Sequence, residues 1–394
     1  MLILAAMAGL LSIPIAILLI EIIAAFKPPV AKPFELESSD SDKRIAVIIP
    51  AHNESVGLFP TLHDIKPQLG FDDRLIVVAD NCTDDTAAVA RKAGAEVTDR
   101  NDPERVGKGY AMGWGIAHVS RNPPDFVLFV DADCRLEADL VEKMKAVCRQ
   151  VQRPVQALFL MRSAANSPIN HSFAEFAWIL KNWVRPLGLR NLHCPVQLMG
   201  TGMMFPWDVI SRVPLASGHL VEDMKLGLDL AEVGKAPYFF PFVRVTSEFP
   251  TSAKGTESQR QRWVQGHLAI IARVPRLLVL GLVRGDVDLV VLALDLLVQP
   301  LSLLGLLIDA TTALAAAAAL FGGPSSALII AVGNLAGFAL CALLAWFKFG
   351  RHVISSRGAL SLIFFAFGKF GFYFRMLTGS RASKWIRTDR TKLK

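Results

Sequence analysis

The chain has 394 residues, 52% of them hydrophobic and 20% charged, with a net charge of +7. A mean hydropathy of +0.40 is too high for an ordinary soluble protein, and the charge content is too high for a pure membrane bundle. What remains is one soluble domain joined to several membrane segments. The basic balance does not point to nucleic acid, because the tail RASKWIRTDRTKLK (381–394) supplies most of the excess, and a basic segment after apolar helices faces anionic lipid.

In chain order, residues 2–26 form an apolar run long enough to span about 30 Å of hydrocarbon. The basic residues follow that run, so a cleaved signal peptide fits poorly. Lys27, Lys32, Lys43 and Arg44 place the next domain inside. This gives an N-terminal span over 1–27. From 43 to about 250, short apolar runs alternate with helical patterns. RIAVIIP (44–50), RLIVVAD (74–80), AEVTDR (95–100) and FVLFVDAD (126–133) read as strands, and segments near 55–68, 84–93, 107–120 and 137–150 as helices. Such alternation predicts an α/β domain, Rossmann-like, with a mostly parallel sheet.

Further on, DVDLVVLALDLLVQP (286–300) carries Asp288, Asp295 and Gln299 on one helical face and reads as an interfacial helix. Residues 301–347 read as two spans joined at the uncharged GGPSS. The run 358–377 contains Lys369 and Arg375 and reads as interfacial or re-entrant, ahead of a basic cytosolic tail over 378–394. The five cysteines are odd in number and form no C-x-x-C pair, as expected of reduced thiols in a cytosol-facing domain.

Ligands of parallel sheets bind at the carboxyl ends of the strands. There the chain places PAHNES, DNCTDDT, DRNDPERVGKGYA and DADC. Singly, these have plainer readings: DNCTDDT suits a helix N-cap, GKG a turn, and Glu222 and Asp223 the start of a helix. The DAD pair says more. Read as strand residues i and i+2, Asp131 and Asp133 point the same way and repel unless a cation lies between them. Hard oxygen ligands fit Mg2+ or Mn2+.

PAHNE, VVADNCTDDT, GKGYA, DAD, GTG, VED and QRQRW, in this order, resemble the membrane-embedded family 2 glycosyltransferases, a group that includes cellulose, hyaluronan and chitin-oligosaccharide synthases. The resemblance covers residues 44 to about 275, within a domain drawn as 43–275. It implies a GT-A fold, a nucleotide-sugar donor, usually UDP-linked, a divalent metal, and inversion at the sugar.

Carried over residue by residue, the resemblance places His52, Glu54, Asp80, Lys108, Asp131 and Arg262 at the donor, and Asp133 with Asp131 at the metal. Asp223 becomes the base. Gly200, Thr201, Glu222, Gln259 and Trp263 fall at the acceptor. The chain departs from most relatives at His52, where they carry Tyr, and at ADN (79–81), where they read DDG. The expected setting is the inner membrane, with the catalytic domain cytosolic. The acceptor is a growing glycan or a lipid-linked oligosaccharide, with a separate export protein as a further partner. Single-sugar transfer to a lipid acceptor is the alternative, and a nucleotidyltransferase the more distant one.

Overall fold

The structure is a computed structural model that describes residues 2–29, 43–164, 171–323, 325–359 and 373. The chain divides into two compact units. One comprises Met1–Pro28, Asn170–His193 and His267–Ala382; the other comprises Pro29–Ile169, Cys194–Gly266 and Ser383–Lys394. The expected helix at 358–377, apart from Gly358, Ala359 and Tyr373, lies outside the described residues. So do the tail at 378–394 and the stretch 30–42 with Lys32.

The helices in chain order are α1 (Leu2–Ala25), α2 (Leu58–Ile65), α3 (Thr86–Lys92), α4 (Lys108–Val119), α5 (Leu140–Val151), α6 (Ser172–Ile179), α7 (Arg185–Asn191), α8 (Trp207–Ile210), α9 (Glu222–Ala231), α10 (Ala253–Ile271), α11 (Val274–Arg284), α12 (Val287–Asp295), α13 (Leu301–Leu320) and α14 (Ser325–Ala345). The strands are β1 (Ile45–Ala51), β2 (Arg74–Asp80), β3 (Glu96–Arg100), β4 (Phe126–Phe129), β5 (Arg135–Leu136), β6 (Val155–Arg162), β7 (Met203–Pro206) and β8 (Tyr238–Glu248).

In the second unit these strands form one sheet in the order β3-β2-β1-β4-β7-β6-β8-β5. Its first half is parallel, as the alternating pattern predicts, with Ile48 beside Ile76 on one side and Phe129 on the other. The sheet is not parallel throughout. β7 runs antiparallel to both β4 and β6, and β5 antiparallel to β8, so the sheet is mixed. β1, β2 and β4 are near-continuous apolar runs because both of their faces are covered, whereas β3, EVTDR, lies at the edge of the sheet. Ile48, Ile76, Val78, Phe129 and Phe205 make one side of a core, closed by Met112 and Val119 of α4 and by Leu226 and Leu230 of α9. Helix α4 approaches closely because Gly115 carries no side chain: a Cβ there would meet Ile48 Cγ2 at 2.7 Å. That approach fixes Lys108, the first residue of α4, at the carboxyl edge of the sheet.

The other described unit is helical. Three of its helical stretches, Ile3–Ala25, Leu301–Leu320 and Ser325–Gly350, are long and apolar enough to cross a membrane; α10 and α11, bent by 46°, would together make a fourth. Small residues let α1 pack against α13 and α14, through Ala8, Ala315, Ala327 and Ala331. Asn334 bridges two helices by donating to Ala8 O at 2.7 Å and accepting from Ser12 Oγ at 2.8 Å.

At the far end of α1 lies a charged group that the sequence does not advertise. Arg185 Nε donates to Glu21 Oε2 at 2.6 Å, and its Nη2 pairs with Asp295 and reaches Asp295 O at 3.0 Å. All three side chains are at most 9% exposed. The helix over 286–300 therefore does not turn Asp295 to water, as its pattern suggests: Asp295 is buried with Leu289, Leu292 and Ala293. Removing one partner from such a group leaves an uncompensated buried charge. Arg185→Leu should cost about 3–5 kcal/mol, read as a lower unfolding midpoint of the detergent-purified protein. An unchanged midpoint would show that the two carboxylates do not need the guanidinium.

Candidate active site

The carboxyl ends of β1 and β2 turn sharply at Asn53 (φ 56) and Asn81 (φ 51), a left-handed geometry that asparagine tolerates. The turns are tied together. Asn53 Oδ1 accepts from Thr83 N at 2.7 Å, and Thr86 Oγ1 accepts from Glu54 N at 2.7 Å. Asp84, just before the N-cap residue Asp85 of α3, accepts from Thr86 N at 3.0 Å and from Ser55 N at 3.2 Å. The predicted N-cap therefore also joins two of the polar loops.

His52 Nδ1 lies 2.7 Å from Asp80 O, so these two predicted donor residues adjoin. Asp80 is 5% exposed and carries a partner the sequence reading did not include: Arg100 Nη1 donates to Asp80 Oδ1 at 2.6 Å. Arg100 also binds Asp102 Oδ2 at 3.0 Å and Arg105 O at 2.8 Å, over the Tyr110 ring. Burial pushes the Asp80 carboxyl up against the pull of Arg100.

Asp131 and Asp133 do not lie on a strand. β4 ends at Phe129, and the DAD segment is a turn in which Ala132 points inward, 4% exposed. The alternation of a strand therefore does not govern this pair. The turn brings ligand atoms of Asp131, Asp133 and Cys134 within 4.8 Å of one another. Asp133 Oδ2 accepts from Ser247 Oγ on β8 at 2.9 Å, and Asp131 pairs with Lys108. A Cβ at Gly57 would sit 3.3 Å from Glu54 Oε2 and 3.7 Å from Asp133 Cβ, so Glu54 borders the same cluster.

The donor set fits a hard divalent cation held by two carboxylates and completed by phosphate oxygens. Cys134 does not fit as a ligand. Burial and then the Asp131 charge push its thiol far above the ordinary range, and its sulfur faces Thr201 Oγ1 at 3.6 Å.

Lys108 is the hub. Its Nζ donates to Gly200 O at 2.7 Å, pairs with Asp131, and lies 3.9 Å from Glu222. Burial works against its charge, but Asp131, Glu222 and Asp223 hold its pKa well above the ordinary lysine value. Gly200 has φ +93, and a Cβ there would lie 3.3 Å from Asp223 Oδ2 and 3.5 Å from Lys108 Nζ. The predicted base, the predicted phosphate contact and the GTG turn thus converge.

Glu222 and Asp223 do begin α9, where carboxylates favour the helix dipole, and Asp223 Oδ1 accepts from Met224 N at 2.8 Å. The plainer reading and the chemical one coexist. Gln259 is 6% exposed, and a Cβ at Gly266 would meet Val221 Cγ1 at 2.5 Å, which seats this part of α10 against the residue before α9. Arg262 is within electrostatic reach of Glu222 and Asp131. Trp263 is partly buried on the same helix.

Burial, and then the neighbouring Asp223, raise Glu222 to about 7 against the pull of Lys108. A carboxyl raised on folding binds its proton more tightly in the folded state. Its stabilising contribution is complete below the unfolded value of 4.5 and is lost as pH rises to about 7. Glu222→Gln should therefore flatten the fall in unfolding midpoint between about pH 5 and 7. Equal slopes for the two proteins would exclude Glu222 as the source.

A model of glycosyl transferase family group 2 matches residues 126–350, more than half of the chain, and one of glycosyl transferase family 2 matches residues 46–153. The chain belongs to glycosyl transferase family group 2. This glycosyltransferase is similar to the mannosyltransferase PcManGT from Pyrobaculum calidifontis, solved with GDP-Man and Mn2+. The TM-score is 0.55 over 93% of this chain and 98% of that one, with 18% identity, a likeness of fold.

Among curated proteins, it is 28% identical over 204 residues to glucosyl-3-phosphoglycerate synthase of Mycolicibacterium smegmatis, covering 48% of this chain and 64% of that protein. It is 39% identical over 107 residues to 4,4'-diaponeurosporenoate glycosyltransferase of Staphylococcus aureus, covering 26% and 27%. The chain spans less than two thirds of the length of these curated relatives.

Proposed function

We propose that this glycosyltransferase moves a sugar from a nucleotide diphosphate sugar, UDP-linked, to an acceptor hydroxyl at a membrane surface, with inversion and with Mg2+ or Mn2+. The observation that carries this reading is the convergence of Lys108, Asp131 and Asp223 around Gly200. The motif order of cellulose- and hyaluronan-type synthases supports it, and so does the fold shared with a mannosyltransferase solved with Mn2+.

In the reaction, the Asp223 carboxylate takes the proton of the acceptor hydroxyl. The hydroxyl oxygen forms its bond to the sugar C1 as the C1–O bond to the diphosphate breaks, and the diphosphate leaves with the electron pair. Lys108 and Arg262 face that growing negative charge. Asp131 and Asp133 would hold the divalent ion, which neutralises diphosphate charge when bound. His52, Glu54 and Asp80 border the nucleoside, and Trp263 offers a flat face to an acceptor sugar.

Three apolar helices among the described residues support a membrane setting. The curated relatives are named for a small product, glucosyl-3-phosphoglycerate, and for a single acceptor, 4,4'-diaponeurosporenoate. Those observations favour addition of one or a few sugars over long-chain polymerisation. Membranes bearing the protein, incubated with a panel of radiolabelled nucleotide sugars, should transfer label from one donor to a lipid-extractable or short glycan product. Absence of transfer from every donor would overturn the reading, and a long polymer would overturn the short-product form of it.

A further inference from the structure

Gln156 lies on β6 and has no exposed surface. A buried amide is costly unless both of its ends are satisfied. Here they are satisfied by main chain. Nε2 donates to Thr201 O at 2.9 Å and to Ala157 O at 2.8 Å, and Oε1 accepts from Met199 N at 2.8 Å. The side chain thus grips the backbone on both sides of Gly200. The turn is pinned beyond that as well: Gly202 N donates to Phe129 O at 2.9 Å, and Ala157 N donates to Gly202 O at 2.9 Å. Gly200, between the gripped residues, presents its carbonyl to Lys108 Nζ at 2.7 Å. Thr201, also fully buried, accepts the Asp131 N–H at Oγ1 at 3.0 Å.

We propose that Gln156 is a positioning residue for sugar transfer. Resting on the transferase reading above, it sets the Gly200 carbonyl that aims the Lys108 ammonium, and through Thr201 it sets the turn that presents Asp131. It touches neither donor nor acceptor. A loosened Gly200 turn displaces Lys108 relative to Asp223, and a misplacement of about 1 Å can cost on the order of a hundredfold in rate. The nucleoside rests on other loops, those of His52, Glu54 and Asp80, so nucleotide binding, which Lys108 and Asp131 share at the diphosphate and metal, suffers less than the rate.

Gln156→Met keeps the length of the side chain and removes both of its hydrogen-bonding functions. The purified variant is titrated with UDP and Mn2+ to count binding-competent sites, and transfer is then expressed per site. The kcat per site should fall roughly 30- to 100-fold, while the donor KM and the UDP affinity change by a clearly smaller factor. A merely structural role would lower the number of competent sites and leave kcat per site unchanged, and that result overturns the proposal. So does an equal fall in UDP affinity. If the Met variant binds no nucleotide, Gln156→Glu, which keeps the acceptor for Met199 N–H, is measured in the same way. It should lose about tenfold in kcat per site, and a wild-type value overturns the proposal. A wild-type protein inert toward every donor would sink the transferase reading and this inference together, whereas an active wild type with a normal Gln156→Met kcat sinks this inference alone.

Discussion

Asp223→Asn should reduce transfer by about 10²- to 10⁴-fold, the usual contribution of a positioned general base, and leave affinity for the nucleoside diphosphate close to that of the wild type. The amide has nearly the same shape and can still accept from Met224 N–H, the contact that Asp223 Oδ1 makes at 2.8 Å. The start of α9 therefore survives. What is lost is the negative charge of the proposed base beside Gly200. Removing that charge also leaves Lys108 with Asp131 and Glu222 as neighbours, so the ammonium keeps compensating carboxylates. Transfer and binding are read separately, by product formation and by titration with UDP. A variant that transfers at the wild-type rate would exclude Asp223 as the base. A variant that loses UDP binding in proportion would make it a donor residue.

Asp133→Asn should be the second severe change, and it should act on donor and metal together. One of the two carboxylates that fit the cation would become neutral, and the Ser247 hydroxyl would keep a hydrogen-bond acceptor, so the local fold is spared. A metal ion supplies several kcal/mol of charge stabilisation during departure of a diphosphate, which corresponds to more than about a hundredfold in rate. Mn2+-dependent tightening of UDP binding should disappear in the variant, and excess chelator should bring the wild type to the same state. Full activity of the wild type in chelator would remove the metal from the account.

The half of the fold that carries the donor loops was legible because its physics is local. Strands β1, β2 and β4 are short apolar runs, and the helices between the strands have start signals, such as Asp84 before α3, that lie a residue or two away. The antiparallel β7 was not legible. It is four residues long, follows directly on the glycine turn, and takes its direction from neighbours remote in sequence. The motif residues of the site were legible as motifs, and Lys108, Asp131, Gly200 and Asp223 are indeed brought together. Their supports were not. Ser247 reaches Asp133 across 114 positions, and Gln156 is one polar residue in VQALFLMR, a stretch outside the strands that the sequence pattern predicts. Arg185 is likewise one of two arginines in a short helical segment, and only packing shows that it joins Glu21 to Asp295.

The central claim is that the convergence around Gly200 breaks the sugar–phosphate bond of a nucleotide sugar. Phosphorus NMR of the products tests it most directly, with purified protein, Mn2+, the active donor and a membrane extract as acceptor. The account predicts that the donor diphosphate signals are replaced by those of free nucleoside diphosphate, in step with sugar transfer and only when Asp223 is intact. Release of inorganic pyrophosphate from a nucleoside triphosphate and a sugar phosphate, with no nucleoside diphosphate formed from the nucleotide sugar, would contradict it and make the protein a nucleotidyltransferase.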